Sequence, residues 1–359
     1  MNNFTSSVAQ EKLRKKQNKD MVGYRNVCVA VHAAMFLSLV SLVVVSEAAR
    51  AGRSHSEPLF DSGIPATNRY SRAELELRPC VAVRFYRKQA NNLPLLLLSL
   101  FASGHPRLKT FVLDTGREPY EKLPVLLRRV NAASGRRWVH AYRKRTRDVR
   151  LAFPDLMYED FGYVLTDMVM EEMLNKKAMK ERYGFQCDTL TITNGDNVYS
   201  PKFIPALLTS IAQGNDLVAS HFVTHYDQPP ERSTRSYRDI MASEASCGPV
   251  RSGRDAEFVT SDRFLPWCVD LGSVMFTLKA VADTQLRFVI DKLRLDGSGN
   301  VTTQKPYTVV DYGAFKSTKK KFETPRDFFS SADGFFFNRM ASHGSISSRV
   351  VRRVLLLHL

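Results

Sequence analysis

Residues 187–201 read CDTLTITNGDNVYSP, and the fold is decided by how they are read. Asp188 to Thr193 is a β-branched, apolar run of strand length, ended by the turn residues Asn194-Gly195-Asp196-Asn197. Ser200 and Pro201 then supply an N-cap and a first-turn proline for a helix expected to reach about Gln213. A buried strand that ends in an acidic turn and leads to a helix is a unit of an open α/β sheet. Such sheets take their ligands at the carboxyl ends of their strands. Asp196, a lone carboxylate there among amide side chains, suits one hard divalent ion that phosphate oxygens also hold.

Outward from this unit, strands alternate with helices. Cys80–Tyr86 (CVAVRFY) reads as a first strand, Asn91–Gly104 as a helix that Gly104 terminates, and Leu108–Gly116 (LKTFVLDTG) as a second strand. Tyr120–Gly135 is a second helix, Arg137–Arg143 (RWVHAYR) a third strand, Tyr163–Tyr183 one long helix and Asp216–Asp227 a further strand. That alternation predicts an α/β fold with a mostly parallel sheet flanked by helices and joined by right-handed crossovers. The chain has no internal repeat, no GxGxxG and no GxxxxGK[ST], which removes a Rossmann dinucleotide site and a P-loop.

The strand ends carry the candidate chemistry. The first runs into Tyr86-Arg87-Lys88 and the second into Asp114-Thr115-Gly116. Asp114 can accept hydrogen bonds from a ribose or base edge, or serve as an ordinary turn aspartate before glycine. In Trp267–Thr277 (WCVDLGSVMFT), Gly272 marks close approach of a ligand or another backbone. In Asp327–Gly344, Ser330 or Ser331 can cap a helix that Gly344 stops, with Asp333 in its first turn. The helix dipole is expected to lower the pKa of Asp333 and keep it ionised. Asp333 is then either a general base or a plain helix-start residue, with Glu323 and Asp327 as competing carboxylates. The polar stretch Glu231–Arg263 is long for a loop and is a candidate acceptor wall or lid.

At 359 residues the chain has ample core, and its 52 basic against 36 acidic side chains give a formal charge of +16. That charge favours anionic partners, but the bases are scattered, without a zinc-finger pattern, basic helix or aromatic ribbon motif, so specific nucleic-acid binding is not expected. Val27–Ser46 is uncharged and about as long as a bilayer-spanning helix. Lys12, Arg14, Lys15, Lys16, Lys19 and Arg25 precede it, so the positive-inside tendency leaves the amino terminus cytoplasmic. Ser46-Glu47-Ala48 would fit a cleaved signal peptide, but the long basic leader and the length of the run favour an anchor. Glu47–Arg78, rich in Arg, Ser, Pro and Gly, reads as a stalk, and Val350–Leu359 as a packed or amphipathic end. Cys28 lies in the span, which leaves Cys80, Cys187, Cys247 and Cys268 for an oxidising compartment, with Cys247 and Cys268 the favoured local pair.

Asp114 in VLDTG, Asn194-Gly195-Asp196 after a central strand, the glycine-bearing DLGSVMF and Ala332-Asp333-Gly334 at a helix start resemble, in this order, the motifs of GT-A fold glycosyltransferases. The likeness is greatest to the family 2 type and spans about Cys80–Gly344. It implies a Rossmann-like GT-A domain over residues 79–345, after a cytoplasmic tail (1–26), a transmembrane anchor (27–46) and a stalk (47–78), and before a carboxyl-terminal tail (346–359). It also implies sugar transfer from a nucleotide-sugar donor to a hydroxyl of a glycan, protein or lipid acceptor, with inversion. Asp196 would hold Mn²⁺ or Mg²⁺ and Asp333 would be the catalytic base. Tyr86, Asp114 and Asn194 would bind the donor. Tyr163, Thr166 and Asp167 open the long helix and are further donor candidates, on a helix that must also bury Val164, Met168 and Met173. The implied setting is a single-pass type II membrane protein facing the lumen of the Golgi or endoplasmic reticulum. Asn194 stands where the first aspartate of the metal motif is expected, and Ala332 where a glutamate often precedes the base. Both changes leave a catalytically inactive relative that binds sugar nucleotides or glycans as the alternative.

Overall fold

The computed structural model describes residues 70–116, 118–144, 162–224, 251–252, 257–259, 264, 269–291, 308–309 and 332–358. All of them belong to one compact unit, Phe60–Leu359. The span Val27–Ser46, Cys247, Cys268, Glu323, Asp327, Ser330 and Ser331 lie outside the described residues, as does most of Glu47–Arg78 and of Glu231–Arg263. Among the described residues no helix is long and apolar enough to cross a membrane.

The chain opens with α1 (Arg72–Glu76), β1 (Pro79–Phe85), α2 (Leu93–Phe101), β2 (Lys109–Asp114), α3 (Leu123–Ala133) and β3 (Val139–Ala141). Next come α4 (Tyr163–Leu174), α5 (Lys176–Tyr183), β4 (Thr189–Asn194), β5 (Asn197–Tyr199), α6 (Phe203–Ala212) and β6 (Leu217–Thr224). β7 (Arg251–Ser252), β8 (Glu257–Val259), β9 (Val274–Thr277), α7 (Leu278–Thr284), β10 (Ile290–Asp291), β11 (Thr308–Val309), α8 (Ala332–Ala341) and β12 (Ser348–His358) complete it.

The main sheet has the order β3-β2-β1-β4-β9-β6-β12-β5, with β8 paired to β6 and β7 to β8. Along that path β3, β2, β1, β4, β6 and β12 run one way, and β9 and β5 the other. The expected mostly parallel α/β sheet is therefore present, with antiparallel β9 inserted between its two parallel groups. Every residue of β1 is buried, as a central strand covered on both faces requires. Its side chains alternate between two cores. Cys80 and Ala82 pack with α4, α7 and α8, whereas Val81, Val83 and Phe85 pack with α2, α3 and α6.

Four local expectations change. The stalk closes with α1, because Ser71 and Glu74 form a reciprocal capping box and Tyr70 is buried. The long helix is two, broken at Asn175 (φ −80°, ψ 81°), whose side chain accepts from the Ala178 N–H at 3.0 Å and caps α5 instead. Asn197, read as the last turn residue, opens strand β5, and α6 begins at Phe203 after a turn closed by the Ser200 carbonyl. The carboxyl-terminal run is strand β12, inserted between β6 and β5.

A disulfide joins Cys80 and Cys187, with Cα atoms 5.8 Å apart, at the start of β1 and just ahead of β4. Alongside it Arg78 forks onto Asp188, Nη2 to Oδ1 at 2.6 Å and Nε to Oδ2 at 2.7 Å. Adjacent parallel strands are thus clamped at their amino ends, opposite the edge where the candidate residues gather.

Candidate active site

Parallel pairing in register sets the site. Arg84 of β1 stands opposite Asn194 of β4, and Phe85 opposite Asp114 of β2, so three neighbouring strands end together. The turns that follow are tied to one another. The Thr115 N–H donates to the Phe85 carbonyl at 2.7 Å and the Gly195 N–H to the Arg84 carbonyl at 3.0 Å. Gln89, in the short turn after β1, accepts from the Tyr86 N–H at 3.3 Å and packs against Gly195, where a Cβ would stand 2.8 Å from its Oε1.

Asp114 is buried and its carboxylate accepts from the Gly116 N–H at 3.3 Å and the Tyr120 N–H at 3.0 Å, which shapes the loop after β2. Gly116 lies beside both Asp114 and Tyr86, since a Cβ there would stand 3.3 Å from Asp114 Oδ1 and 3.8 Å from Tyr86 Cβ. Tyr86 itself is 42 % exposed, and partial burial together with the neighbouring Asp196 raises its phenol pKa. Asp196 is near enough for its charge to act on Tyr86, and its Oδ1 is buried without a hydrogen-bond partner among the described residues. Asn197 turns inward instead, its Nδ2 donating to Thr193 Oγ1 at 2.8 Å.

Beneath this edge lies a charged cluster. Arg84, 7 % exposed, donates from Nε (3.1 Å) and Nη2 (2.7 Å) to Asn194 Oδ1. Its guanidinium sits 4.3 Å from the centroid of the Tyr163 ring. Burial first, then the charge of Asp333, raises the Tyr163 phenol pKa well above its usual value. Asp333, in the first turn of α8, accepts from the Gly334 N–H at 2.8 Å. Its pKa is nevertheless pushed up to about 6, by burial first and then by the charge of Asp270, against the lowering effects of the Gly334 N–H and Arg84. The expectation that the helix start keeps this carboxyl strongly acidic is thereby corrected: desolvation and a like charge outweigh the dipole.

Tyr86, Asp114, Asn194 and Asp196 are thus gathered at one sheet edge, and Tyr163 and Asp333 join them through Arg84. Thr166 is not. It is fully buried and its hydroxyl donates to the Gly162 carbonyl at 2.9 Å, within its own helix. Asp167 is also committed inward, accepting from the Phe288 and Val289 N–H groups at 2.7 and 2.8 Å. Gly272 meets protein rather than ligand, since a Cβ there would stand 2.7 Å from Asn197 Nδ2 and 2.8 Å from Tyr199 Oη.

Arg84, Gln89 and Asp270 belong to the cluster without having been singled out from the sequence. Arg84 had a signal, a charge inside the apolar run CVAVRF. Asp270 opens the quoted DLGSVMF motif, of which only the glycine was read, and Gln89 had no signal. Among the described residues no three His, Cys, Asp or Glu side chains gather to hold a metal, so an ion at Asp196 would draw its other ligands from a substrate. The orphaned Asp196 Oδ1 fits that role.

No protein-family model matches the chain, and no curated protein does. Among solved structures it is similar to the crystal structure of S. aureus TarS 1-349, at 8 % identity and a TM-score of 0.40, over 78 % of this chain and 60 % of that one. It is also similar to S. aureus TarS 1-349 in complex with UDP-GlcNAc (10 % identity, TM-score 0.38, 78 % and 58 % of the two chains). A further crystal structure of S. aureus TarS matches at 11 % identity and a TM-score of 0.35, over 74 % of this chain and 44 % of that one. The chain therefore spans three fifths or less of each of these proteins.

Proposed function

We propose that this chain transfers a sugar from a nucleotide-sugar donor to an acceptor hydroxyl, with inversion, at the carboxyl edge of β1, β2 and β4. The observation that carries the reading is the meeting, around Arg84, of the Asn194–Asp196 turn with Asp333, a carboxyl whose raised pKa suits a general base near neutral pH. In the proposed reaction the acceptor oxygen attacks the anomeric carbon as the bond to the diphosphate breaks, and the hydroxyl proton passes to Asp333. Tyr86 and Asp114 flank the position of the nucleoside, and Tyr163 supports the site from below through Arg84. A divalent cation, Mn²⁺ or Mg²⁺, held by Asp196 and the donor's own oxygens, would neutralise charge on the leaving diphosphate. The disulfide between Cys80 and Cys187 supports an oxidising setting, and with the uncharged Val27–Ser46 it favours a lumenal domain behind a type II anchor.

A non-catalytic binder of sugar nucleotides is the second reading, favoured by the commitment of Asn194 to Arg84 and by Ala332 in place of an acid. Assay of the full-length chain with a panel of nucleotide sugars and Mn²⁺ separates the two. Transfer or donor hydrolysis is expected, reduced about a hundredfold or more in Asp333→Ala and in Asp196→Ala. Donor binding without turnover would select the second reading, and unchanged turnover in both variants would remove the assigned site.

A further inference from the structure

We infer that Arg84 is a built-in anion seat that grips the diphosphate of the donor directly, without a metal ion. The inference rests on the nucleotide-sugar reading above and gives Arg84, there only the hub of the cluster, a direct contact with the donor.

Burying a guanidinium is costly unless charge or hydrogen bonds compensate it. Arg84 is more than nine-tenths buried, yet the group to which it donates is the neutral amide of Asn194, on which both Nε and Nη2 converge. Nη1 is buried with no hydrogen-bond partner among the described residues, and no carboxylate among them lies within ion-pair distance of Arg84. The Tyr163 ring supports the guanidinium from one face and its phenol also interacts with Arg84, so the donor left over is Nη1. What remains is an oriented cation with unspent N–H capacity, the geometry that suits phosphate oxygens.

Its position agrees. Arg84 is the penultimate residue of β1, in register with Asn194 at the edge where α/β sheets bind ligands. The asparagine then has a physical reason. An aspartate at 194 would form an internal ion pair and use up the charge, whereas the amide orients Arg84 and leaves that charge available. Asp333 and, beyond it, Asp270 are the negative groups facing this cluster, and they oppose an anion. Affinity there must therefore come from Arg84 itself.

Calorimetric titration of the full-length chain in EDTA tests this, with inorganic pyrophosphate, UDP, GDP, UMP and GMP as probes. Pyrophosphate and at least one nucleoside diphosphate are expected to bind, the diphosphate more tightly than its monophosphate. Arg84→Gln should weaken both about tenfold or more, a typical loss for a charge-assisted hydrogen bond. Asn194→Asp, which pairs the guanidinium internally and keeps the fold if Arg84→Gln does not, should weaken them in the same direction. Equal binding by the wild type and both variants would overturn the anion seat and leave the donor reading standing. Arg84-dependent binding of pyrophosphate with no nucleoside diphosphate bound, either in EDTA or with Mn²⁺, would keep the seat and remove the nucleotide-sugar reading. No binding of any probe by the wild type in EDTA would overturn the anion seat, and no binding with Mn²⁺ in place of EDTA would overturn the nucleotide-sugar reading as well.

Discussion

Asp333 shows how a helix start and a buried setting compete for one proton. The Gly334 N–H and Arg84 favour the carboxylate, while desolvation and Asp270 favour the acid, and the second pair prevails. The pKa of the folded protein, about 6, lies above the unfolded value of 3.8. The native state therefore binds the extra proton between those values, and stability falls as pH rises through that window. Above about pH 6 the ionised group is a net cost. Asp333→Asn should accordingly be more stable than the wild type at pH 7, by about 1–3 kcal/mol, and lose that advantage below about pH 4. Denaturant titrations at the two pH values check it; an equal stability difference at both would contradict the raised pKa. For the proposed transfer, kcat/KM should decline as pH falls below about 6, because Asp333 as base becomes protonated.

At the level of elements, the turn between β4 and β5 is held from behind. Tyr199 donates from Oη to the Gly272 carbonyl at 3.0 Å, and Asn197 donates to Thr193, so the two strands close over Gly272 with no room for a side chain. The three atoms a Cβ would meet belong to buried side chains engaged in this network, so they cannot simply swing aside. Gly272→Ala should cost about 1–3 kcal/mol by overpacking. It should also reduce transfer, because the displaced turn carries Asp196; thermal melts and donor-binding titrations on one sample measure both. A melting temperature and donor affinity equal to the wild type would show that the turn is not braced in this way. The other clamp, the Cys80–Cys187 disulfide with the Arg78–Asp188 fork, secures the opposite ends of β1 and β4, so the site edge rests on strands pinned at their far ends.

Across the whole molecule, pairing between distant parts of the chain completes the sheet. β12 lies parallel to β6 and antiparallel to β5, with register shifts around Val354, and buries Leu355 and Leu356 against the α2, α3 and α6 face. The stretch assigned as a tail is thus part of the framework behind the site. Topology belongs to this scale too. The proposed type II arrangement, anchored by Val27–Ser46, predicts that protease added to sealed microsomes spares the carboxyl-terminal domain until detergent opens them, and that this domain carries an oxidised Cys80–Cys187 pair. Digestion of the domain in sealed vesicles would refute the type II arrangement.

The alternation of apolar strands with helices, the order of the strand-end residues and the placement of Asp114, Asn194, Asp196 and Asp333 at element boundaries were all legible in the chain. Periodicity and turn chemistry are local properties, and local sequence carries them. The antiparallel insertion of β9, the strand β12 made from Ser348–His358 and the inward turn of Thr166 and Asp167 were not legible, because pairing partners and burial are set by residues far away in the chain. The same holds for the gathering of Arg84, Asn194, Tyr163, Asp270 and Asp333. A charge in an apolar strand marks Arg84 as unusual, but its partners, and the direction in which burial moves a neighbouring proton, exist only once β1, β4, α4 and α8 have packed together.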